Sequence, residues 1–345
     1  MKKDLLSLNP EELKKVISEL GEKPFRANQI FSWLHKGKHF DEMTNIPASL
    51  REKLKNEYTD LPVCIAEIHV SAIDHTQKFL FRLEDGNCIE GVLMQYHYGY
   101  TLCISTQVGC NMGCAFCAST LEGKVRNLSA GEMLGQILCA NSLSPEIKVH
   151  NIVLMGSGEP LDNYDEVIRF LRLVSDENGL NIGLRHISLS TCGLVDRIYD
   201  LIEEKLPVTL SVSLHAPDDQ IRRQIMPIAK RYDILSLISA CRAYVEKTGR
   251  RVVFEYALIR NVNSSPECAH RLASLLRGFQ CHVNLIPLNT VKERNLIGVN
   301  ENEVQAFLHI LEEEHISATR RREMGDDIDG ACGQLRRRKM LEGQL

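Results

Sequence analysis

From residue 101 to residue 288 the chain repeats one rhythm, and that rhythm limits the fold more than any other feature. The short apolar runs "TLCIST", "VHNIVLM", "RHISLST", "VTLSVSLH", "RVVFEYALI" and "HVNLIPL" are separated by helix-length segments. Six strand–helix repeats of this kind call for parallel strands joined by crossover helices, so the chain is α/β, its sheet curved or closed into a barrel. The first crossover helix is marked in "LSAGEMLGQILCANSL", where Ser129 and Glu132 stand at capping-box spacing. Glycine and small polar residues gather where the runs end, in "LMGSGEPLDN", "SLSTCG", "SVSLHA" and "LIPLNT". Folds of this type keep their ligand pocket at the C-terminal ends of the strands, and a pocket is expected there.

Other periods precede this rhythm. Residues 1–58 read as three short helices: "NPEELKKVISEL", with Asn9 as cap and Pro10 in the first turn, then "PFRANQIFSWLHKG", then "IPASLREKLKNEY". Residues 59–98 read as antiparallel strands, "CIAEIHVSA", "TQKFLFRLED" and "NCIEGVLMQYHY", with the turn "LEDGN" between the last two. The expected organisation is therefore a helical accessory domain (1–58), a β-extension (59–98) and an α/β core (99–345).

Composition adds exclusions. The chain is 345 residues long, 44% hydrophobic and 25% charged, the profile of a soluble globular protein. It has no apolar signal-like segment at its start and no apolar run long enough for a membrane span, so the cytoplasm is the expected location and no membrane partner is expected. Net charge is −4, yet "TRRREMG" (319–325) and "LRRRKM" (335–340) concentrate basic residues near the C-terminus. Either run alone reads as solvated surface; two runs flanking a cysteine favour a phosphate-rich partner.

The chain has twelve cysteines. Structural disulfides are rare in reducing compartments, and scattered single cysteines read as small buried hydrophobes. The cluster "QVGCNMGCAFCAST" differs, because Cys110, Cys114 and Cys117 are spaced C-x3-C-x2-C. A structural zinc site wants four closed ligands, and the chain offers no second C-x2-C or H-x3-H half. A C-x-x-C redox pair would leave Cys110 unexplained. Three thiolates suit an iron–sulfur cluster with one iron left open. This spacing after the first barrel strand, with Phe116 before the last cysteine and "GEP" after the second strand, resembles the radical S-adenosylmethionine (SAM) superfamily. The resemblance implies a [4Fe-4S] cluster held by three cysteines, its open iron taking the amino and carboxylate groups of SAM.

A narrower resemblance covers nearly the whole chain. "GEKPFRANQIFSWLHKG", "TLCISTQVGCNMGCAFCAST", "GSGEPLDN", "SLSTCGL", "SLHAP" and "RREMGDDIDGACGQL" resemble, in the same order, the motifs of the RlmN-type dual-specificity RNA methyltransferases, relatives of the Cfr enzymes. It implies a partial (β/α)6 TIM-like barrel of the radical SAM type. It implies methylation of C2 of an adenosine in 23S rRNA and of the adenosine 3′ of the anticodon in tRNA. Two SAM molecules are spent per turnover, a flavodoxin- or ferredoxin-like protein supplies the electron, and a monomer is the default state.

The family chemistry assigns roles. A ring CH of adenine is not nucleophilic, so the methyl is delivered by radical chemistry. One SAM methylates Cys332; a second is reductively cleaved, and the 5′-deoxyadenosyl radical takes hydrogen from the Cys332 methyl. The methylene radical adds to the ring, and Cys103 then attacks Cys332, forming a transient disulfide that frees the base. Glu90, on a strand face with Cys88, Val92 and Met94, matches the proton acceptor; from period alone it reads equally as a rim residue.

By motif, Gly158, Glu159 and Pro160 face the methionine part of SAM, with Glu159 accepting from its ammonium group. Ser190, Ser213, Leu214 and His215 join the same pocket, and Asn289 contacts the adenosyl part. The chain departs from the family at Ser157, where methionine is usual, and at Cys192, where serine is usual; an extra cluster ligand at Cys192 is not expected. Two alternatives remain open: a Cfr-like enzyme acting on C8 of the same rRNA adenosine, disfavoured by Pro160 and the N-terminal module, and a non-enzymatic RNA-binding protein with a structural metal.

Overall fold

The computed structural model describes residues 2–288 and 296–328. The chain opens with β1 (Lys3–Asp4), α1 (Pro10–Glu19), α2 (Arg26–Leu34), α3 (Ala48–Glu57) and β2 (Tyr58–Thr59). Three antiparallel strands follow: β3 (Val63–Val70), β4 (Gln77–Leu83) and β5 (Cys88–Tyr96). Next come β6 (Gly99–Cys103), the hairpin β7 (Gln107–Gly109) and β8 (Lys124–Asn127), and α4 (Ala130–Asn141). The alternation continues through β9 (Val149–Leu154), α5 (Tyr164–Val174), β10 (Ile187–Thr191), α6 (Val195–Glu203) and β11 (Thr209–Ser213). It closes with α7 (Asp219–Ile225), α8 (Ile234–Thr248), β12 (Val252–Leu258), α9 (Pro266–Leu276), β13 (Cys281–Pro287), α10 (Glu301–Glu313) and β14 (Ala318–Arg320).

Among the described residues the main sheet has ten strands in the order β14-β13-β12-β11-β10-β9-β6-β5-β4-β3. From β6 through β14 neighbouring strands are parallel; β6, β5, β4 and β3 pair antiparallel. The six apolar runs are therefore the six parallel strands expected, in sequence order across the sheet. The antiparallel extension is no separate layer: it continues the barrel wall beyond β6. The hairpin β7–β8 was not marked in the sequence, and two further features carried no period there. β14 adds a seventh parallel strand, and β1 pairs with β2, both too short to show alternation.

Local chemistry explains the helix starts. Asn9 caps α1 by accepting from the backbone of Glu11 and Glu12, and Glu12 returns a bond to the Asn9 N–H at 2.9 Å. Ser129 and Glu132 do the same for α4. One apolar core then runs from Leu13, Ile17 and Phe31 of the N-terminal helices to Leu134 and Phe170 of the barrel helices. Arg169 of α5 bridges the two parts, donating to Glu12 at 2.6 Å. No helix among the described residues is long and apolar enough to cross a membrane.

β1 is fixed to α4 through a buried carboxylate. Asp4 accepts from Ser7 Oγ at 2.6 Å, Leu6 N at 2.8 Å and Ser129 Oγ at 3.0 Å. Burial, with some help from nearby Glu132, pushes its carboxyl up to about 6. The folded chain therefore holds this proton more tightly than the unfolded one. The associated stability is complete below about pH 4 and is lost as pH rises through about 6. Asp4→Asn is expected to remove that dependence. Thermal unfolding from pH 4 to pH 7 should show the unmodified chain losing about 2–3 kcal/mol relative to the variant; parallel curves would count against it.

Candidate active site

The site begins where β6 ends. Ser105 Oγ donates to the carbonyl of Glu90 at 2.7 Å and accepts from Ser157 N at 2.9 Å. The Ser157 carbonyl takes the N–H groups of Thr106 and Gln107, and Gln107 Oε1 accepts from Glu159 N at 2.9 Å. From α4, the fully buried Gln136 pairs with both backbone groups of Ser105. These bonds lock the segment leading to the cysteines against the turn after β9. Gly158 is required there: its φ is +112°, and a Cβ would stand 2.7 Å from the Gln107 side chain.

The cysteine loop is held on both sides. Cys110 N donates to the Gly123 carbonyl across the β7–β8 hairpin, Lys124 N donates to Asn111 Oδ1 at 2.8 Å, and Ala115 N donates to the Ile225 carbonyl at the end of α7. Cys110, Cys114 and Cys117 thereby reach one wall of a cavity of about 290 Å³. Gly158, Glu159 and Pro160, then Ser190, then Ser213 and His215 line the same cavity. So nine residues singled out in the sequence meet in one place. Leu214 lies fully buried in the main core; its N–H donates to the Glu255 carbonyl at 3.1 Å. Asn289, Cys332 and the run 335–340 lie outside the described residues.

Electrostatics follow from burial. Burial pushes the Cys110 thiol up to about 12 and the Cys114 thiol further still. Such thiols release their protons when a cation binds, as metal sites require. Three soft sulfur donors on a tight loop, opening onto a largely apolar cavity that Glu159, Ser190, Ser213 and His215 also reach, suit an iron–sulfur cluster with a small ligand beside it. Glu159 is buried, and burial raises its carboxyl; bonds from Cys192 N at 2.7 Å and Leu161 N at 3.0 Å oppose that shift. His215 is lowered to about 3, chiefly by burial and then by Arg222. Its Nδ1 accepts from Ala257 N at 2.9 Å, which leaves the proton on Nε2. Its ring meets Phe116 edge-on at 4.7 Å, so the cysteine loop and the end of β11 are in contact.

Next to this cavity lies a second group. Cys103 pairs with Val92, and Glu90 sits two residues back along the same β5 face. Cys103, Val92 and Met94 pack with Met155 and Met324, and Met155 also lines the cavity. Met324 belongs to the segment after β14. There Arg321 reaches the cavity, Gly325 N donates to Asp74 at 2.9 Å, and Asp327 accepts from Ser71 Oγ at 2.6 Å and Ala72 N at 2.8 Å. Cys332 follows Ile328 by four residues. The basic run 320–322 is divided, because Arg320 is ion-paired with Glu301 while Arg321 and Arg322 are exposed.

Sequence reasoning passed over three buried residues. Arg222 is fully buried and donates to the carbonyls of Cys192, Ser213 and Leu214, tying the ends of β10 and β11 together. Asn263 donates to the His215 carbonyl at 2.7 Å. Lys78 lies 3.0 Å from Glu90. The alternation of "TQKFLF" places Lys78 and Leu80 on one strand face and would have exposed the lysine as an anomaly.

A three-thiol loop after the first strand of a parallel barrel, opening onto a cavity lined from the strand ends, defines a radical SAM enzyme. Residues 104–269 match the model of the radical SAM superfamily, and residues 3–59 that of the ribosomal RNA large subunit methyltransferase N-terminal domain. A protein of Alkaliphilus oremlandii named probable dual-specificity RNA methyltransferase RlmN is 55% identical, covering 98% of each chain. One of Clostridium acetobutylicum with the same name is 52% identical over 99% of each. The crystal structure of a radical SAM methyltransferase from Sphaerobacter thermophilus superposes with a TM-score of 0.93 at 43% identity, covering 96% of this chain and 98% of that one. The chain belongs to the RlmN family of radical SAM RNA methyltransferases.

The hairpin offers a direct test of how the loop is held. A Cβ on Gly109, whose φ is +75°, would stand 1.9 Å from the Gly123 carbonyl oxygen. Gly109→Ala is expected to lower iron and sulfide per chain several-fold after reconstitution. An unchanged iron load would show that the hairpin does not set the loop.

Proposed function

We propose that this chain methylates C2 of adenosine in 23S rRNA and of the adenosine 3′ of the anticodon in tRNA, by way of a methylated Cys332. The reading rests above all on one juxtaposition: the Cys103–Glu90 strand face and the cavity behind the three cysteines share Met155 as a common wall. Cys110, Cys114 and Cys117 would hold a [4Fe-4S] cluster with one iron open to SAM. When bound, the cluster and SAM supply the methyl group and the one-electron chemistry that takes hydrogen from an unactivated methyl.

The chain's own residues do the rest. Glu159, raised by burial, gains a cation when the ammonium group of SAM sits beside it. His215 offers an Nε2–H, with Ser190 and Ser213 beside it; Asn289 completes the contacts to the adenosyl part. Cys103 stands ready to attack the sulfur of Cys332, giving a disulfide as the carbon–sulfur bond to the base breaks. Glu90 receives the proton of the ring carbon. Arg321 at the cavity and Met324 beside Cys103 belong to the segment 321–328, and Cys332 follows that segment in the sequence. Residues 1–58, with Arg321, Arg322 and Arg336–Lys339, engage RNA backbone. The enzyme works in the cytoplasm as a monomer, fed by a flavodoxin- or ferredoxin-like donor.

Nucleoside mass spectrometry tests this reading. Reconstituted enzyme, reductant and SAM are incubated anaerobically with unmodified 23S rRNA fragment and tRNA. The expected product is 2-methyladenosine in both, lost on Cys332→Ala. 8-Methyladenosine would move the chain to the Cfr branch, and no methylated adenosine from clustered protein would refute the substrate assignment.

A further inference from the structure

The inward face of β4 and β5 holds one buried charged group for which the reaction above has no use. Lys78 is fully buried, and its Nζ lies 3.0 Å from Glu90 Oε2, itself 5% exposed. In the β4–β5 register Lys78 faces Val92 and Leu80 faces Glu90, so the two charges meet on a diagonal across one strand pair. Apolar side chains on the same face include Leu80, Cys88, Val92 and Met94. Burying two charges costs more than surface placement, and exchanging a buried ion pair for hydrophobic residues is often neutral or stabilising. Stability alone is therefore a weak reason for a lysine and a glutamate here.

Position supplies a better reason. Val92 is the register partner of both Lys78 and Cys103, so lysine, thiol and carboxylate lie on one face of three adjacent strands. At a strand spacing of about 4.8 Å, Lys78 begins about 10 Å from the Cys103 strand, with Glu90 between them. A carboxylate on a two-carbon stem has several rotamers open to it. An ammonium group 3.0 Å away selects one.

We propose that Lys78 is a positioning residue for proton removal. It touches neither RNA nor SAM. It holds the Glu90 carboxylate turned so that one oxygen faces the target ring carbon. When the proton moves from carbon to that oxygen, the bonding electron pair stays with the ring, Glu90 becomes neutral, and the ammonium group is left beside an uncharged acid. Once product leaves, Glu90 gives the proton to solvent and is again a carboxylate. The inference rests on the assignment of Glu90 as proton acceptor.

The test is Lys78→Met, close to isosteric and free of charge, assayed as cluster-loaded full-length enzyme with RNA carrying hydrogen or deuterium at C2 of the target adenosine. Cluster content and methylation of Cys332 should match the unmodified enzyme. Turnover of RNA should fall about 10- to 100-fold with KM for RNA unchanged. The deuterium isotope effect should rise, because proton removal has become slow; a merely structural loss would leave it where it was. Lys78→Arg, which keeps the charge, should retain most activity and serves if the methionine variant folds poorly. An unchanged rate and isotope effect in both variants would overturn the proposal, as would a matching loss of Cys332 methylation. Glu90→Gln separates the two assignments: if it abolishes turnover while Lys78→Met does not, the role of Lys78 falls alone. If Glu90→Gln stays fully active, both fall.

Discussion

The site depends on the tie between the ends of β6 and β9. Ser157 gives its carbonyl to two successive N–H groups of the other segment and its own N–H to Ser105, while Gln107 holds Glu159. These bonds are short-range in space and long-range in sequence. They set the distance between the cysteine loop, which begins three residues after Gln107, and the Gly158–Pro160 turn facing it. A side chain at position 158 would force the two segments apart, and the cavity between them would lose its shape. Because the same Ser105 hydroxyl also reaches the carbonyl of Glu90, the antiparallel extension is tied to the cavity by one more bond.

Around that tie, the barrel interior places polar groups where a parallel sheet is otherwise apolar. Each charge or amide buried there has to be matched, or its desolvation would weigh on stability. Arg222 meets three strand-end carbonyls, Asn263 meets the backbone of His215 and Ala257, and Glu159 takes two backbone N–H groups. The consequence is rigidity at the strand ends. His215 keeps a left-handed backbone, φ +55°, because Asn263 holds its carbonyl and Ala257 its ring. A radical enzyme gains from such stiffness, since a reactive intermediate must meet one partner and no other.

Much of this was legible in the sequence, for physical reasons. Long apolar runs bounded by polar turns fix strand identity, so six of the parallel strands and the antiparallel β3, β4 and β5 were found, whereas the short hairpin β7–β8 was not. The Asn9 cap and the Ser129–Glu132 capping box are local chemistry and read directly. The cysteine spacing carried the metal chemistry, and motif order carried the family. What escaped was short or non-local. β1, β2 and β14 span two or three residues and show no period, and their pairing depends on partners far along the chain. Arg222 and Asn263 act through backbone carbonyls, which no sequence pattern marks. The alternation around Lys78 marks it as out of place on its strand face, but only the register puts it beside Glu90.

The central claim is that three cysteines hold a cluster whose remaining iron is open to SAM in the cavity of Glu159 and His215. Mössbauer spectroscopy of anaerobically reconstituted protein, recorded with and without SAM, tests it most directly. The account predicts that one iron of the cluster changes its isomer shift when SAM is added, as an iron gaining nitrogen and oxygen ligands does, while the other irons stay unchanged. A spectrum indifferent to SAM, or a protein that takes up zinc in place of iron, would contradict it.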